Sequence, residues 1–246
     1  MKISSIATRA PKGFNKNETK KQTDELARKL ADLQHILYAE KKRGILIVFQ
    51  GMDASGKDGT TRKVFRYCSP AGINAYPFKK PTEREMNHDF LWRVHRLVPQ
   101  KGMIQIFNRS HYEDVLIQRV HQWIDEDHVD HRFEAINAFE RNLIIDNNTH
   151  IFKFYLHISK DRQEEKLQER IDNPRKQWKH NPNDWKEREH WDLYMKFYQD
   201  VVDRSEIPWF VVPSDQRWYR DYFIAKTLLA EMKKLDLKLP TFADNA

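Results

Sequence analysis

The sequence has a single cysteine, Cys68, so it can close no disulfide within itself, which fits a reducing compartment. It has no long hydrophobic run: the longest, Ile45 to Phe49, falls far short of the roughly 20 residues that span a bilayer. No charged-then-apolar leader opens it, so a soluble, cytoplasmic protein without membrane attachment is expected. There is no internal repeat and no low-complexity tract. Glycine is scarce, with seven in 246 residues, and negative charge is outnumbered, with 43 Lys and Arg against 36 Asp and Glu, a formal net charge of +7. A field of that sign favours anionic partners, whether nucleic acid, anionic lipid, nucleotides or another polyanion.

What is present suffices for one sizeable core, at 39% hydrophobic and 12% aromatic residues, and one domain over residues 1–246 is expected. The first two dozen residues lack periodicity and read as a mobile or wrapping arm. From Thr23, Leu26, Leu30, Leu33 and Leu37 recur at spacings of four and three, an amphipathic helix whose narrow stripe packs on the core or on a second subunit; arm and helix fill about 1–42. Short β-rich runs follow, "ILIVFQ", "INAYPF", "MIQIF", "IFKFYLHI" and "PWFVVP". Between them, helices are expected over Thr60 to Cys68, Glu83 to Leu97, His111 to Trp123, Asp130 to Ile145, Asp161 to Ile171 and Trp185 to Asp203, with a last one from Arg217 to Met232. Nearly all-apolar strands alternating with helices indicate an α/β fold, a three-layer αβα sandwich around a parallel five-stranded sheet. The densest charge lies at about 160–190, where "DNPRKQWKHNPNDWKERE" fits neither a core strand nor a buried helix.

Three of the seven glycines, Gly51, Gly56 and Gly59, fall within nine positions. Gly51, four residues, Gly56 and Lys57 match the phosphate-binding loop, after a buried strand and before a helix, as that pattern requires. Glycines let the backbone curl so that successive N–H groups point at phosphate oxygens, while the helix N-terminus and Lys57 add positive charge. The expected cradle is Gly51, Ala54, Ser55, Gly56, Lys57, Asp58, Gly59 and Thr60. Two residues depart from the common form. Asp58 stands where Ser or Thr usually ligates magnesium and can favour the helix N-terminus instead. Asp53 sets a carboxylate inside the cradle, which would repel phosphates unless a divalent cation lay between, so it is the better metal ligand.

A second cluster should follow another strand's carboxyl end. "MIQIF" delivers "NRSHYED", with Asn108 where an Asp often orients magnesium; Glu113 or Asp114 is left to supply the charge one helical turn later, unless both are ordinary first-turn acids. In "PTEREMNHDFLWRVH", Asp89, Arg93 and His95 can face an acceptor nucleotide while Phe90, Leu91 and Val94 belong to the core. In "VPSDQRWYRD", after the last strand, Asp215 and Trp218 can hold a base, or cap and staple the final helix. His121, His128 and His131 match no standard zinc spacing and read as a polar turn.

Four blocks, "GMDASGKDGT", "HDFLWRVH", "FNRSHYED" and "VPSDQRWYRD", together resemble the family 2 polyphosphate kinases from the first helix to the last. The resemblance implies a P-loop kinase with a helical lid that moves phosphoryl groups between inorganic polyphosphate and nucleotides with magnesium, or manganese in its place. It assigns Asp53 and Asp114 to the metal, Lys57 to the loop phosphates and Arg109 to the transferring group. It makes the segment with Arg170, Lys176 and Lys179 the lid. The order Asn108, then Glu113-Asp114, resembles the subgroup that accepts AMP as well as ADP, and Glu113 joins the nucleotide-facing set with Asp89, Arg93, Asp215 and Trp218. Lys63, Arg66, Arg109, Arg119, Arg170, Lys176 and Lys179 are the candidate track for the polyphosphate chain. ATP is the expected product from ADP, and a homo-oligomer, dimer or tetramer, is expected. The alternatives are an ATP-dependent nucleoside or nucleotide kinase of the same fold, against which the basic excess argues, or a nucleic-acid-binding P-loop protein whose basic residues interleaved with Trp and Tyr would contact phosphates and stack bases; a guanine-specific switch would need an Asn-Lys-x-Asp element, which the sequence lacks.

Overall fold

The computed structural model describes residues 2–242. Five strands form one sheet: β1 (Gly44–Gln50), β2 (Ile73–Pro77), β3 (Ile104–Asn108), β4 (Thr149–His157) and β5 (Trp209–Pro213), in the order β2-β3-β1-β4-β5 with every neighbouring pair parallel. β1 lies in the middle and is buried along its whole length, which is why its sequence is continuously apolar. β2 is an edge strand with mostly uncovered side chains, so it carries Asn74 and Tyr76 rather than an apolar run.

Ten helices are described: α1 (Lys16–Glu40), α2 (Lys57–Val64), α3 (Glu83–Met86), α4 (Trp92–His95), α5 (Ile117–Val120), α6 (Glu126–Asn147), α7 (Lys160–Asp172), α8 (Pro182–Glu189), α9 (Trp191–Arg204) and α10 (Arg217–Lys233). One face of β1, Leu46 and Val48, joins the cluster made with Phe133, Ile136 and Phe139 of α6 and Phe197 and Val201 of α9. The other, Ile45, Ile47 and Phe49, packs with Leu30 and Leu37 of α1 and Ile224 and Leu228 of α10. The leucine stripe of α1 is thus used inside the chain. No helix among the described residues is long and apolar enough to cross a membrane.

Several helix boundaries differ from the expected ones for local reasons. α1 starts before Thr23 because Asn15 caps it, accepting from the amides of Asn17 and Glu18, and the hydroxyls of Thr19 and Thr23 bond back one turn. The helix expected over Glu83 to Leu97 is two short turns: a Thr82–Glu85 capping box starts α3, and Asp89 accepts from the Leu91 amide, a local bond that competes with helix. His111 to Trp123 is likewise a 3-10 turn, His111–Val115, and then α5, broken at Leu116. Trp185 to Asp203 is divided at His190. The arm wraps: the Ile3 amide donates to Gln199 (2.8 Å), Thr8 to Asp215 (2.7 Å) and the Ala10 amide to Gln216 (2.8 Å).

Candidate functional site

β1 and β3 are adjacent and parallel, so the loops at their carboxyl ends meet. The chain leaves β1 through Gly51 at φ +146°, where a Cβ would lie 2.8 Å from the Leu156 carbonyl, turns through Ala54 at φ +64°, and enters α2 from Gly56 at φ +103°. Lys57 opens α2 and folds back over the loop, its Nζ donating to the carbonyls of Gly51 (2.6 Å) and Met52 (3.2 Å). Burial, and then the nearby Arg109 charge, bring its pKa down to about 8. Asp58 is exposed and accepts from Asn108 Nδ2 (3.1 Å), while Thr61 donates to Asn108 Oδ1 (3.1 Å), tying α2 to the end of β3. Asn108 therefore braces the two loops.

Arg109 takes a left-handed backbone, φ +62°, while its amide stays bonded to the Phe49 carbonyl at 2.9 Å. The bend swings its guanidinium back toward the phosphate loop. There it pairs with Asp53 and with Glu113, whose Oε2 is 3.0 Å from Nη1. Burial acts to raise the Asp53 pKa, but Arg109 and Lys57 outweigh it and hold the carboxyl below its ordinary range. Asp114 faces elsewhere. It is 3% exposed, lies 3.5 Å from Arg93 and accepts from Gln118 at 2.5 Å, and its backbone carbonyl accepts from Arg132 at 2.7 Å. Burial lifts its pKa to about 6 against the pull of Arg93 and Arg132. Spacing favours Asp114 over Glu113 as the metal ligand; the structure gives Glu113 to Arg109 and Asp114 to Arg93.

Beneath this segment lies a buried polar network that sequence reasoning missed. Lys153 on β4 donates to Glu140 of α6 (2.7 Å) and to the Tyr112 hydroxyl (2.6 Å), and His111 meets the other Glu140 oxygen at 3.2 Å. Desolvation pushes the Glu140 carboxyl up, but Lys153 and His111 prevail and hold it below its ordinary range. A lysine in the middle of "IFKFYLH" was the available signal, since a buried charge must have a partner. Arg220 and Asp221 on α10, buried under the phosphate loop, were missed in the same way.

The segment expected as a lid forms α7, a 3-10 turn and α8. Arg170 of α7 pairs with Asp184 of α8 and donates to the Lys179 carbonyl (3.2 Å). Asp53 feels the charge of both: Arg170 helps to lower its pKa, and Asp184, raised by burial, is raised further by Asp53. Gln163 of α7 also donates to the Asp53 carbonyl at 3.1 Å. Lys176 pairs with Glu169, and Lys179 lies 4.8 Å from the ring centre of Trp178, which is 78% exposed.

Other candidates are placed apart. Arg119 is buried and clamped between Glu126 (2.6 Å) and Asp200 (2.7 Å), so its charge is used within the fold. Lys63 and Arg66 share Asp24, at 3.6 and 3.2 Å. Asp89 is exposed and engaged with the Leu91 amide; His95 packs edge-on against Phe139. Asp215 caps no part of α10; it accepts from the Ser159 amide and hydroxyl and from Thr8, latching the arm to the start of α7. Trp218 is half-buried beside Tyr219. His121 pairs with Glu187 and His128 with Asp125.

Among the described residues no three or more His, Cys, Asp or Glu side chains gather as a metal cage. The donors at hand are carboxylate oxygens, which suit a hard ion such as Mg²⁺, and Mg²⁺ commonly takes only one or two protein carboxylates, the rest of its shell coming from phosphates and water.

Residues 13–240 match the family model described as polyphosphate kinase 2. The chain is 44% identical over 218 residues to the AMP/ADP-polyphosphate phosphotransferase of Meiothermus ruber, covering 87% of this chain and 81% of that one. It is 38% identical over 242 residues to the ADP-polyphosphate phosphotransferase of Rhodopseudomonas palustris, covering 91% and 83%. A crystal structure of Polyphosphate Kinase 2 from Arthrobacter aurescens TC1 superposes with a TM-score of 0.94 at 37% identity, over 98% of this chain and 88% of that one.

Proposed function

The chain belongs to the polyphosphate kinase 2 family, and from that membership and the site's geometry we propose that it transfers a phosphoryl group from inorganic polyphosphate to AMP and ADP, giving ADP and ATP, reversibly and with Mg²⁺. The observation that carries the reading is the meeting of a glycine-shaped loop, Lys57 and Arg109 at one point, under a segment that carries Arg170.

Phosphoryl transfer needs little covalent help; it needs in-line placement and positive charge where negative charge builds. The loop amides and Lys57 hold the phosphates at one side. Arg109 is paired to two carboxylates, and a phosphate oxygen arriving between them can take over its guanidinium, moving a cation onto the transferring group without moving the backbone. Asp53, kept ionised by its neighbours, would hold the divalent ion, and Asp114, turned to Arg93 in this structure, would join it on being released from that pair. When bound, that ion would neutralise phosphate charge between donor and acceptor. Glu113 steadies Arg109, and Arg93 holds Asp114. Asp215 acts through the arm and the start of α7.

Donor and product each contain a phosphoanhydride, so transfer is near thermoneutral and concentrations set its direction. Water is the competing acceptor, and closing α7 and α8 over the site would exclude it. Assembly into a homo-oligomer is part of the proposal and would use a surface other than the α1 stripe, which the core occupies; light scattering reads it. The decisive incubation contains purified protein, polyphosphate, Mg²⁺ and AMP or ADP. ADP or ATP should form, and a lack of product ends the proposal.

A further inference from the structure

Arg220 and Asp221 are adjacent on α10, 4% and 5% exposed, in a helix whose other buried residues are mostly apolar. Arg220 Nη1 donates to the Ser55 carbonyl at 2.9 Å, and Nε and Nη2 donate to Asp221 Oδ1 at 3.0 and 2.8 Å. The same oxygen accepts from Thr60 on the first turn of α2 at 3.0 Å. Two buried side chains thus join the phosphate loop, the helix that follows it and the last helix of the chain.

From this geometry we infer that Arg220 is a positioning residue for phosphoryl transfer, setting the orientation of the phosphate loop's amides from behind; the inference rests on the function proposed above. The peptide between Ser55 and Gly56 is trans and planar, so its C=O and N–H point in opposite directions. Holding the Ser55 carbonyl on Arg220 turns the Gly56 N–H away from α10 and into the concave side of the loop, where phosphate oxygens are received. The guanidinium presses against the loop so closely that a Cβ on Gly56 would lie 1.8 Å from Nη1. A side chain at Gly56 would be strained by the positive φ and would have to push the Arg220 guanidinium off Ser55.

Arg220 acts here by shape rather than by field. Asp221 lies against it and cancels most of its charge at the distance of the phosphates. A fork is needed because one donor must reach Ser55 while two others stay on Asp221, and a lysine, with a single nitrogen, cannot span both.

The test compares wild type with Arg220→Lys, which keeps the charge and loses the fork. Amide hydrogen exchange over 51–57, without substrate, should be faster in the variant. With polyphosphate and AMP, kcat should fall about 10- to 100-fold while the KM for AMP stays within about twofold, the split expected when an interaction serves the transition state rather than acceptor binding. Loop exchange and kcat both equal to wild type in the folded variant would overturn the inference, as would a lower melting temperature with unchanged kinetics. Should Arg220→Lys not fold, Thr60→Val cuts only the tie to Asp221; it should speed loop exchange and lower kcat, and no change in either counts against the inference. An inactive wild type defeats the proposed function instead, and the exchange comparison still judges Arg220.

Discussion

The charges behind the phosphate loop and those in front of it are held in opposite ways. Behind it Arg220 with Asp221, and beneath the segment after β3 Lys153 with Glu140, are buried, closely paired and bonded to more than one partner each. In front, Lys57 rests on two carbonyls, Arg109 on two carboxylates with 30% of its side chain exposed, and Arg170 on Asp184. A buried pair cannot change partners cheaply, because the group left behind keeps its full desolvation cost. A partly exposed cation can. Rear charges therefore set shape, and front charges are the ones a polyanion can capture.

That contrast can be broken from either side. Lys57→Ala and Asp53→Asn should remove turnover by a factor on the order of 10³ with the fold retained, read by initial rates beside circular dichroism. At the rear, Lys153→Met should cost about 3–5 kcal/mol of stability by leaving Glu140 uncompensated, and adding Glu140→Leu should recover part of it, both measured by denaturant unfolding. A full loss of activity with unchanged stability in Lys153→Met would erase the distinction. Arg170→Ala should weaken polyphosphate use several-fold with little change for the nucleotide, since an ion pair at a partly exposed site is worth only about 1 kcal/mol; an effect confined to nucleotide affinity would remove Arg170 from the lid.

The pH profile sharpens the same point. Lys57 titrates at about 8 in the fold, against 10.5 for an ordinary lysine. As pH rises through 8 the ammonium is lost, so kcat/KM for polyphosphate should fall on that limb. Between about 8 and 10.5 the unfolded chain binds the extra proton, so the contribution of Lys57 to stability rises with pH while activity declines. Smallest of all, Glu164→Gln removes an exposed partner of Arg188 and should shift stability by less than about 1 kcal/mol.

The sheet was legible because all-apolar strands alternate with helices, and the phosphate loop because its glycines are spent in one place. The loop residues and Arg109 came together as their positions between strand and helix suggested. What lay beyond reach was pairing across the sequence. Nothing near Asp114 in the chain announces Arg93, and Arg119 looks like any basic residue until Glu126 and Asp200 close on it. The short breaks at Asp89 and His190 come from local bonding and helix ends that periodicity does not register. Lys153 and Arg220 were visible only as charges in apolar company, a signal that demands a partner without saying which one.

The account stands or falls most directly on one time course: wild type, Asp53→Asn and Lys57→Ala, each with polyphosphate, Mg²⁺ and AMP, followed by separation of the nucleotides. Wild type should consume polyphosphate as ADP appears, and both variants should stay silent while melting as folded proteins. Wild-type rates in the variants, or a wild type that phosphorylates AMP only when ATP replaces polyphosphate, would contradict it.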